Sequence, residues 1–262
     1  MGILNVTPDS FADAHVLFDP AAAVAAALRM EADGADLIDV GGESTRPGAD
    51  PISADLELSR VLPVLHALTD RLAVPISIDT SKAHVARAAV AAGATMVNDV
   101  SGLRRDAAMG TAVAETGAAL VLMHTRGSSK TMYAEADYGD VVAEVIEELR
   151  ESLRCAAAAG VPLDRVIVDP GVGFAKRPAH SYGVLARLSE VAAALDRPVL
   201  VGPSRKSFLR EAVGARPAPE RDWGTAAAVT AAVLAGAHII RVHAVAEMAQ
   251  VVRVAEEIRR HG

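Results

Sequence analysis

The sequence has a single cysteine, Cys155, among 262 residues, and aromatic side chains make up only 3% of it. One thiol excludes both an internal disulfide framework and a cysteine-built zinc site. Cys155 falls in an alanine-rich helical stretch, where a buried, inert thiol is expected. So few rings leave few platforms on which single-stranded nucleic acid could stack. Positive charge is short as well: 26 Lys and Arg against 33 Asp and Glu give a net charge of -7, which argues against a nucleic-acid or anionic-membrane partner. No apolar run reaches the roughly 18 residues of a membrane span, and no charged-then-apolar leader is visible, so the expected location is the cytoplasm. Eight histidines occur without the His-Glu-x-x-His spacing of a zinc hydrolase.

What the chain has in quantity is apolar surface to bury. Hydrophobic residues make up 51% of it, and the mean hydropathy is +0.26. At this length one large core is feasible, so a single domain spanning 1–262 is the expectation. Short apolar runs alternate with longer amphipathic ones. The strand candidates are Gly2–Leu4, Leu37–Val40, Pro75–Ile78, Thr95–Val97, Ala119–Met123, Val166–Val168, Val199–Val201 and Ile239–Val242. Most are near-continuous and β-branched, as parallel strands buried on both faces require. Between them the pattern is helical. Val142, Val145, Ile146, Leu149 and Leu153 form one stripe, with Glu144, Glu147, Glu148, Glu151 and Arg154 mostly opposite. Gly34, Gly93, Gly117, Gly160 and Gly236 each sit where a left-handed residue would close a helix before the next strand. Eight such units without a linker predict an α/β fold closed as a (βα)8 TIM barrel, with the active site at the C-terminal ends of the strands.

The residues that follow the strands carry the chemistry. Ser204, Arg205 and Lys206 follow one strand, and Arg241 and His243 follow the next. In an acidic protein these cations point to a small anionic ligand. The remaining strand ends bring Asn5 with Asp9, Gly41 through Arg46, Asp79, Asn98, His124 and Asp169 to the same mouth. Carboxylates, two carboxamides, two imidazoles and several cations in one ring describe a single continuous site. Each Asp could instead cap the helix that follows it. The pair of glycines in Gly171-Val-Gly173 is too few for a dinucleotide fingerprint, and Arg205-Lys-Ser207 lacks the glycine frame of a P-loop.

Taken together, Met1 through Phe11, Asp39-Val-Gly-Gly-Glu-Ser-Thr-Arg-Pro-Gly48, Ser77-Ile-Asp-Thr80, Asn98-Asp-Val-Ser-Gly102, Asp169-Pro-Gly-Val-Gly-Phe-Ala-Lys176, Ser204-Arg-Lys206 and Arg241-Val-His243 resemble the dihydropteroate synthase family. The resemblance runs in order along nearly the whole chain. It implies a transferase of folate biosynthesis that joins 6-hydroxymethyl-7,8-dihydropterin diphosphate to p-aminobenzoate. It assigns the pterin to Asp79, Asn98, Asp169 and Lys206, and the pyrophosphate to Thr45, Arg46, Arg241 and His243. The p-aminobenzoate slot falls to Phe11, Thr45, Pro47, Phe174, Lys206 and Ser207, and a magnesium ion to Asn5. Asp79, Lys206, Arg241 and His243 are the implied catalytic residues, and a homodimer the implied assembly. The chain departs from the family at Ala12-Asp-Ala-His15, where the family often carries two glycines, and at Ser181 and Ala244. A non-catalytic pterin-binding paralogue and a pterin-dependent methyltransferase barrel are the alternative readings.

Overall fold

The computed structural model describes residues 1–7 and 19–262. Asp9, Phe11, Ala14 and His15 lie outside the described residues. Eight strands follow one another as β1 (Gly2–Asn5), β2 (Ile38–Gly41), β3 (Ile76–Asp79), β4 (Met96–Asp99), β5 (Ala119–Met123), β6 (Val166–Asp169), β7 (Leu200–Val201) and β8 (Ile239–Ile240). The helices between and after them are α1 (Pro20–Ala32), α2 (Ala54–Thr69), α3 (Ala83–Ala91), α4 (Met109–Thr116), α5 (Val141–Ala158), α6 (Pro178–Ala186), α7 (Leu188–Leu195), α8 (Arg210–Val213), α9 (Asp222–Leu234) and α10 (Val245–His261).

β1 to β6 pair in sequence order, and β7 pairs with β8. Parallel bridges from Val168 to Val199 and from Gly2 to Val242 join the two sheets at both edges. The ring is therefore closed, as the repeating βα units predicted, and closure leaves no exposed sheet edge.

The two-residue period of a strand sorts its side chains onto two faces. In β3, Ile76 and Ile78 belong to the large apolar cluster shared with the helices, whereas Ser77 and Asp79 alternate with them and are also buried. Val121, Ile167 and Leu200 form a second, smaller cluster with Met1, Met96 and Ile239, which fills the interior of the ring. On β5 and β7 the inner face is thus apolar, on β6 it is apolar at Ile167 and ends in Asp169, and on β2 to β4 it carries Asp39, Ser77, Asp79 and Asn98. This asymmetry decides which side of the mouth holds the polar site.

The five predicted helix-closing glycines all have positive φ, from 71° at Gly117 to 110° at Gly93. Two expectations for α5 fail. Cys155 is exposed, with Sγ 3.8 Å from Glu151 Oε1, because the buried stripe continues through Ser152 and Ala156 and leaves position 155 beside it. Glu148, expected on the outer face, accepts Arg126 Nε at 2.9 Å and Arg104 Nη1 at 3.0 Å.

Candidate active site

Register places the wall of the site. Gly41 of β2 lies beside Asp79 of β3, and Asp79 lies beside Asn98 of β4. Asp99, on the opposite face from Asn98, accepts Ser101 N at 2.8 Å and Leu103 N at 2.7 Å and so holds the turn beyond the strand. Arg241, just past β8, reaches across the ring. Its Nε donates to Asp39 Oδ2 at 2.6 Å and its Nη2 to Asp79 Oδ2 at 2.8 Å. Asn98 Nδ2 donates to the same Asp39 oxygen at 3.0 Å. Asp39 Oδ1, Asp79 Oδ1 and Ser77 Oγ remain buried without a partner among the described residues. Unpaired buried acceptors are costly, and a ligand rich in N–H donors would satisfy them. Burial pushes Asp79 up to about 7, against the opposing pull of the Arg241 guanidinium, with Asp39 adding to the rise.

Asp39 was absent from the expected site residues. Its signal was present: a lone carboxylate inside the apolar run Leu37–Val40, two positions before Gly41 and hence on the same face.

Across the mouth, Asp169 ends β6 and its Oδ1 accepts Gly171 N at 2.7 Å. Here the helix-capping alternative becomes a turn within the loop itself. Gly171 has φ of 67°, and a Cβ there would lie 2.0 Å from the His124 carbonyl oxygen, so only glycine fits. The loop then meets Lys206, whose Nζ donates to Val172 O at 2.6 Å and lies 4.4 Å from the centroid of the Phe174 ring. Burial lowers Lys206 to about 8, with Asp169 holding it up. Ser181 Oγ accepts Gly173 N at 3.1 Å, so this departure from the family pattern still supports the loop.

The rim is more open. Arg46 and Pro47 are exposed and Thr45 is half-buried. Their loop is fastened at its base, where Lys82 Nζ lies 2.5 Å from both Glu43 Oε2 and Glu57 Oε2, and Arg60 donates to Gly42 O at 2.8 Å. His243 is fixed by Ser204, whose Oγ accepts His243 N at 3.1 Å and lies 2.9 Å from Nδ1. When the ring proton sits on Nε2, Nδ1 accepts the Ser204 hydroxyl proton and Nε2–H is left free to donate. Burial, with Arg241, Arg205 and Arg46 nearby, pushes His243 down to about 3. His243 is therefore a neutral donor at physiological pH, not a cation. Arg205 is bound to Asp222 at 2.8 and 2.7 Å and serves the scaffold.

A cavity of about 420 Å³ opens between the rim and the β6 loop and includes Thr45, Lys82, Arg105, Lys130 and Phe174 in its lining. Ser207 is exposed, and Tyr133 Oη approaches its Oγ at 3.3 Å. It begins a three-residue 3₁₀ turn leading into the four-residue α8. Ser207 thus opens a short turn rather than a long helix. His124, expected at the mouth, turns instead to Lys176 Nζ at 2.8 Å.

Asn5 closes β1 and is half-buried. Among the described residues no group of three or more His, Cys, Asp or Glu could hold a metal on its own. A lone carboxamide fits magnesium when phosphate oxygens and water complete the shell, since that ion takes few protein ligands and keeps several waters.

A closed α/β barrel with a buried carboxylate wall facing a rim of Arg and His donors defines a site for a nitrogen-rich ring bearing an anionic group. A family model described as pterin binding enzyme matches residues 1–243. The dihydropteroate synthase of Escherichia coli strain K12 is 45% identical, over 98% of this chain and 90% of that protein. The one from Synechocystis is 44% identical, over 99% and 90%. A dihydropteroate synthase of Xanthomonas albilineans solved with 4-aminobenzoic acid superposes with a TM-score of 0.92 at 43% identity, covering 98% of this chain and 92% of that one. The chain belongs to the dihydropteroate synthase family of pterin-binding enzymes.

Proposed function

We infer that this protein joins 6-hydroxymethyl-7,8-dihydropterin diphosphate to p-aminobenzoate, giving 7,8-dihydropteroate and pyrophosphate. The observation that carries the reading is the set of orphaned acceptors on Asp39 and Asp79, which face inward on a wall that Arg241 and Asn98 already hold rigid. A dihydropterin presents a guanidine-like edge, and Asp169 can accept its paired N–H donors. Asn98 offers both a donor and an acceptor to the ring.

The reaction breaks the bond between the pterin methylene and the diphosphate oxygen. The bonding pair leaves with pyrophosphate, and the methylene cation spreads into the ring. Asp79 as an anion stabilises that positive charge. Arg46, Thr45 and the Nε2–H of His243 receive the leaving group, together with donors of Arg241, which has five N–H groups and spends two on Asp39 and Asp79. Asn5 is the residue that would hold magnesium, which when bound adds positive charge beside the pyrophosphate. The amine of p-aminobenzoate then attacks the methylene and loses a proton. Lys206 and the hydroxyl of Ser207 receive its carboxylate, with the ring held by Phe174, Thr45 and Pro47. Phe11, which the family resemblance adds to this slot, lies outside the described residues.

The protein acts as a cytoplasmic homodimer. Supporting this assembly, Trp223 (90% exposed) and Leu234 on α9 and Val254 and Ile258 on the adjoining α10 leave large apolar side chains uncovered. Sedimentation at micromolar concentration should give twice the chain mass, and Trp223→Glu should shift it to one.

The deciding assay is pyrophosphate release from the dihydropterin diphosphate, with and without p-aminobenzoate and magnesium. Release coupled to dihydropteroate formation is expected. Pterin binding with no release would mark a non-catalytic paralogue.

A further inference from the structure

Behind the site lies a second set of charges that the reaction does not use. Lys176 is only 1% exposed and is among the largest fully buried side chains of the described residues. Its Nζ lies 2.8 Å from His124 Nδ1 and donates to Phe174 O at 3.2 Å. His124 is itself buried and donates its backbone N–H to Asp169 O at 2.8 Å. Its Nε2 lies 3.2 Å from Glu148 Oε2, close enough for a charge contact but outside hydrogen-bond alignment. Glu148 is gripped by Arg126 and Arg104. Arg126 stacks 4.0 Å from the centroid of the Tyr138 ring, and Tyr138 Oη donates to Ala175 O at 2.8 Å. This network closes around the loop from Asp169 to Lys176, and Ala175 within it holds a φ of 46°.

An ammonium is an expensive group to bury as a structural peg, because an apolar side chain of equal length would fill the space without desolvation. Packing alone therefore does not account for it. We propose that Lys176, braced by His124, is a positioning residue that keeps the carboxylate of Asp169 charged and its loop in place behind the pterin. This rests on the assignment of Asp169 as the group that grips the pterin.

The groups around the pair decide the direction of the effect. Facing Lys176 are His124 from β5, Asp169 from β6, Lys206 after β7, Glu148 from α5, and Arg126 and Tyr138 from the β5–α5 connection. Burial drives the Asp169 carboxyl up, whereas Lys206, its own loop amide at Gly171, Lys176 and Arg241 pull it down. Burial drives Lys176 down to about 7, with Asp169 and Glu148 holding it up and Lys206 and Arg126 opposing them. His124 is pushed down to about 3, chiefly by burial and then by Lys176, so it accepts from the lysine without competing for the proton. The positive charge that Lys176 carries below about pH 7 resists protonation of Asp169.

The test is the pH dependence of 6-hydroxymethyl pterin binding, by calorimetry, in the unmutated protein and in Lys176→Met. Methionine keeps the unbranched shape and removes the charge. The acid limb of binding should move up by about one pH unit, a tenfold weaker affinity at a pH on that limb. Asp79 contributes its own limb to both proteins and cancels in the comparison. A limb that stays in place overturns the proposal, whatever the loss of affinity at every pH, because that is what a purely structural role produces.

A second measurement does not depend on the variant folding. The chain has four lysines, so ¹³Cε-labelled lysine gives a resolvable spectrum; the Lys206 signal, near 8, is the one that Lys206→Arg removes, and that of Lys176 should titrate near 7. Asp169→Asn should lower that titration by about the same one unit, since coupling between two sites is reciprocal. An unmoved signal overturns the proposal. If Asp169→Asn also leaves pterin affinity intact, the assignment of Asp169 has failed; if affinity is lost while the lysine signal stays, only the role of Lys176 has.

Discussion

The two sides of the mouth are built to different rules. The wall of Asp39, Asp79, Asn98 and Arg241 is buried and bonded within the protein itself, with side chains from β2, β3, β4 and the residue just past β8 held at 2.6 to 3.0 Å. The rim of Thr45, Arg46 and Pro47 stands in solvent on a loop fastened at its base by Lys82 and, just past Pro47, to the β5–α5 connection, where Gly48 N donates to Ser129 O and Ser129 Oγ donates to Ala49 O, each at 2.8 Å. A ring can be recognised by a rigid wall because its shape does not change in the reaction. A departing pyrophosphate needs donors that follow it, so its half of the site is left open. Preorganisation is thus spent where charge delocalises, and solvent access is kept where a group leaves.

Arg241→Ala strikes the wall and should have the largest effect. It leaves Asp39 and Asp79 buried without their cation, so urea unfolding should show a loss of about 3–5 kcal/mol together with loss of turnover. Arg46→Ala strikes the rim alone. Turnover should fall about 100- to 1,000-fold, while stability stays within about 0.5 kcal/mol of the parent; a large stability loss would show that the rim is structural too. Asp169→Asn should weaken pterin binding by about 2–3 kcal/mol in calorimetry, because the amide presents a donor where the ring also donates.

The wall also predicts a pH limb. Asp79, raised to about 7, carries more protons folded than unfolded between about pH 4 and 7. Its contribution to stability therefore declines as pH rises through that window, while its useful anion appears only at the upper end. The kcat/KM for the pterin substrate should fall about tenfold per pH unit below 7, and Asp79→Asn should abolish that limb. His243, already neutral, should add no limb above about pH 4. The smallest effect belongs to Ser207→Ala, where a few-fold rise in KM for p-aminobenzoate, with pterin affinity unchanged, is expected for one exposed hydroxyl.

Much of the wall could be read from the chain, and the reasons for the omissions are physical. The eight strands stood out because parallel strands in a barrel are apolar on the face packed against helices, and Asp79, Asn98 and Asp169 stood out because each ends such a run. Asp39 was overlooked because it sits inside its run. Only the two-residue alternation, applied to a run that otherwise looks uniformly apolar, exposes it as inward-facing. His124 was misplaced because a residue one step past a strand can turn inward or toward a helix, and its choice depends on Lys176, 52 residues away. Cys155 shows the same limit on α5. Its neighbours Ala156 and Ser152 carry the buried face, and alanine-rich stretches give little contrast between one face and the next.

Arg241 is separated from Asp39 by 202 positions along the chain. During synthesis the carboxylates of β2 and β3 emerge early, and their cation arrives only with the last strand of the barrel. Until β8 docks between β7 and β1, the two acids must share the wall without it, so the site cannot take its final form before the ring is complete. Substrate recognition thereby doubles as a check on completion: only a chain that has closed its ring has a finished place for the pterin.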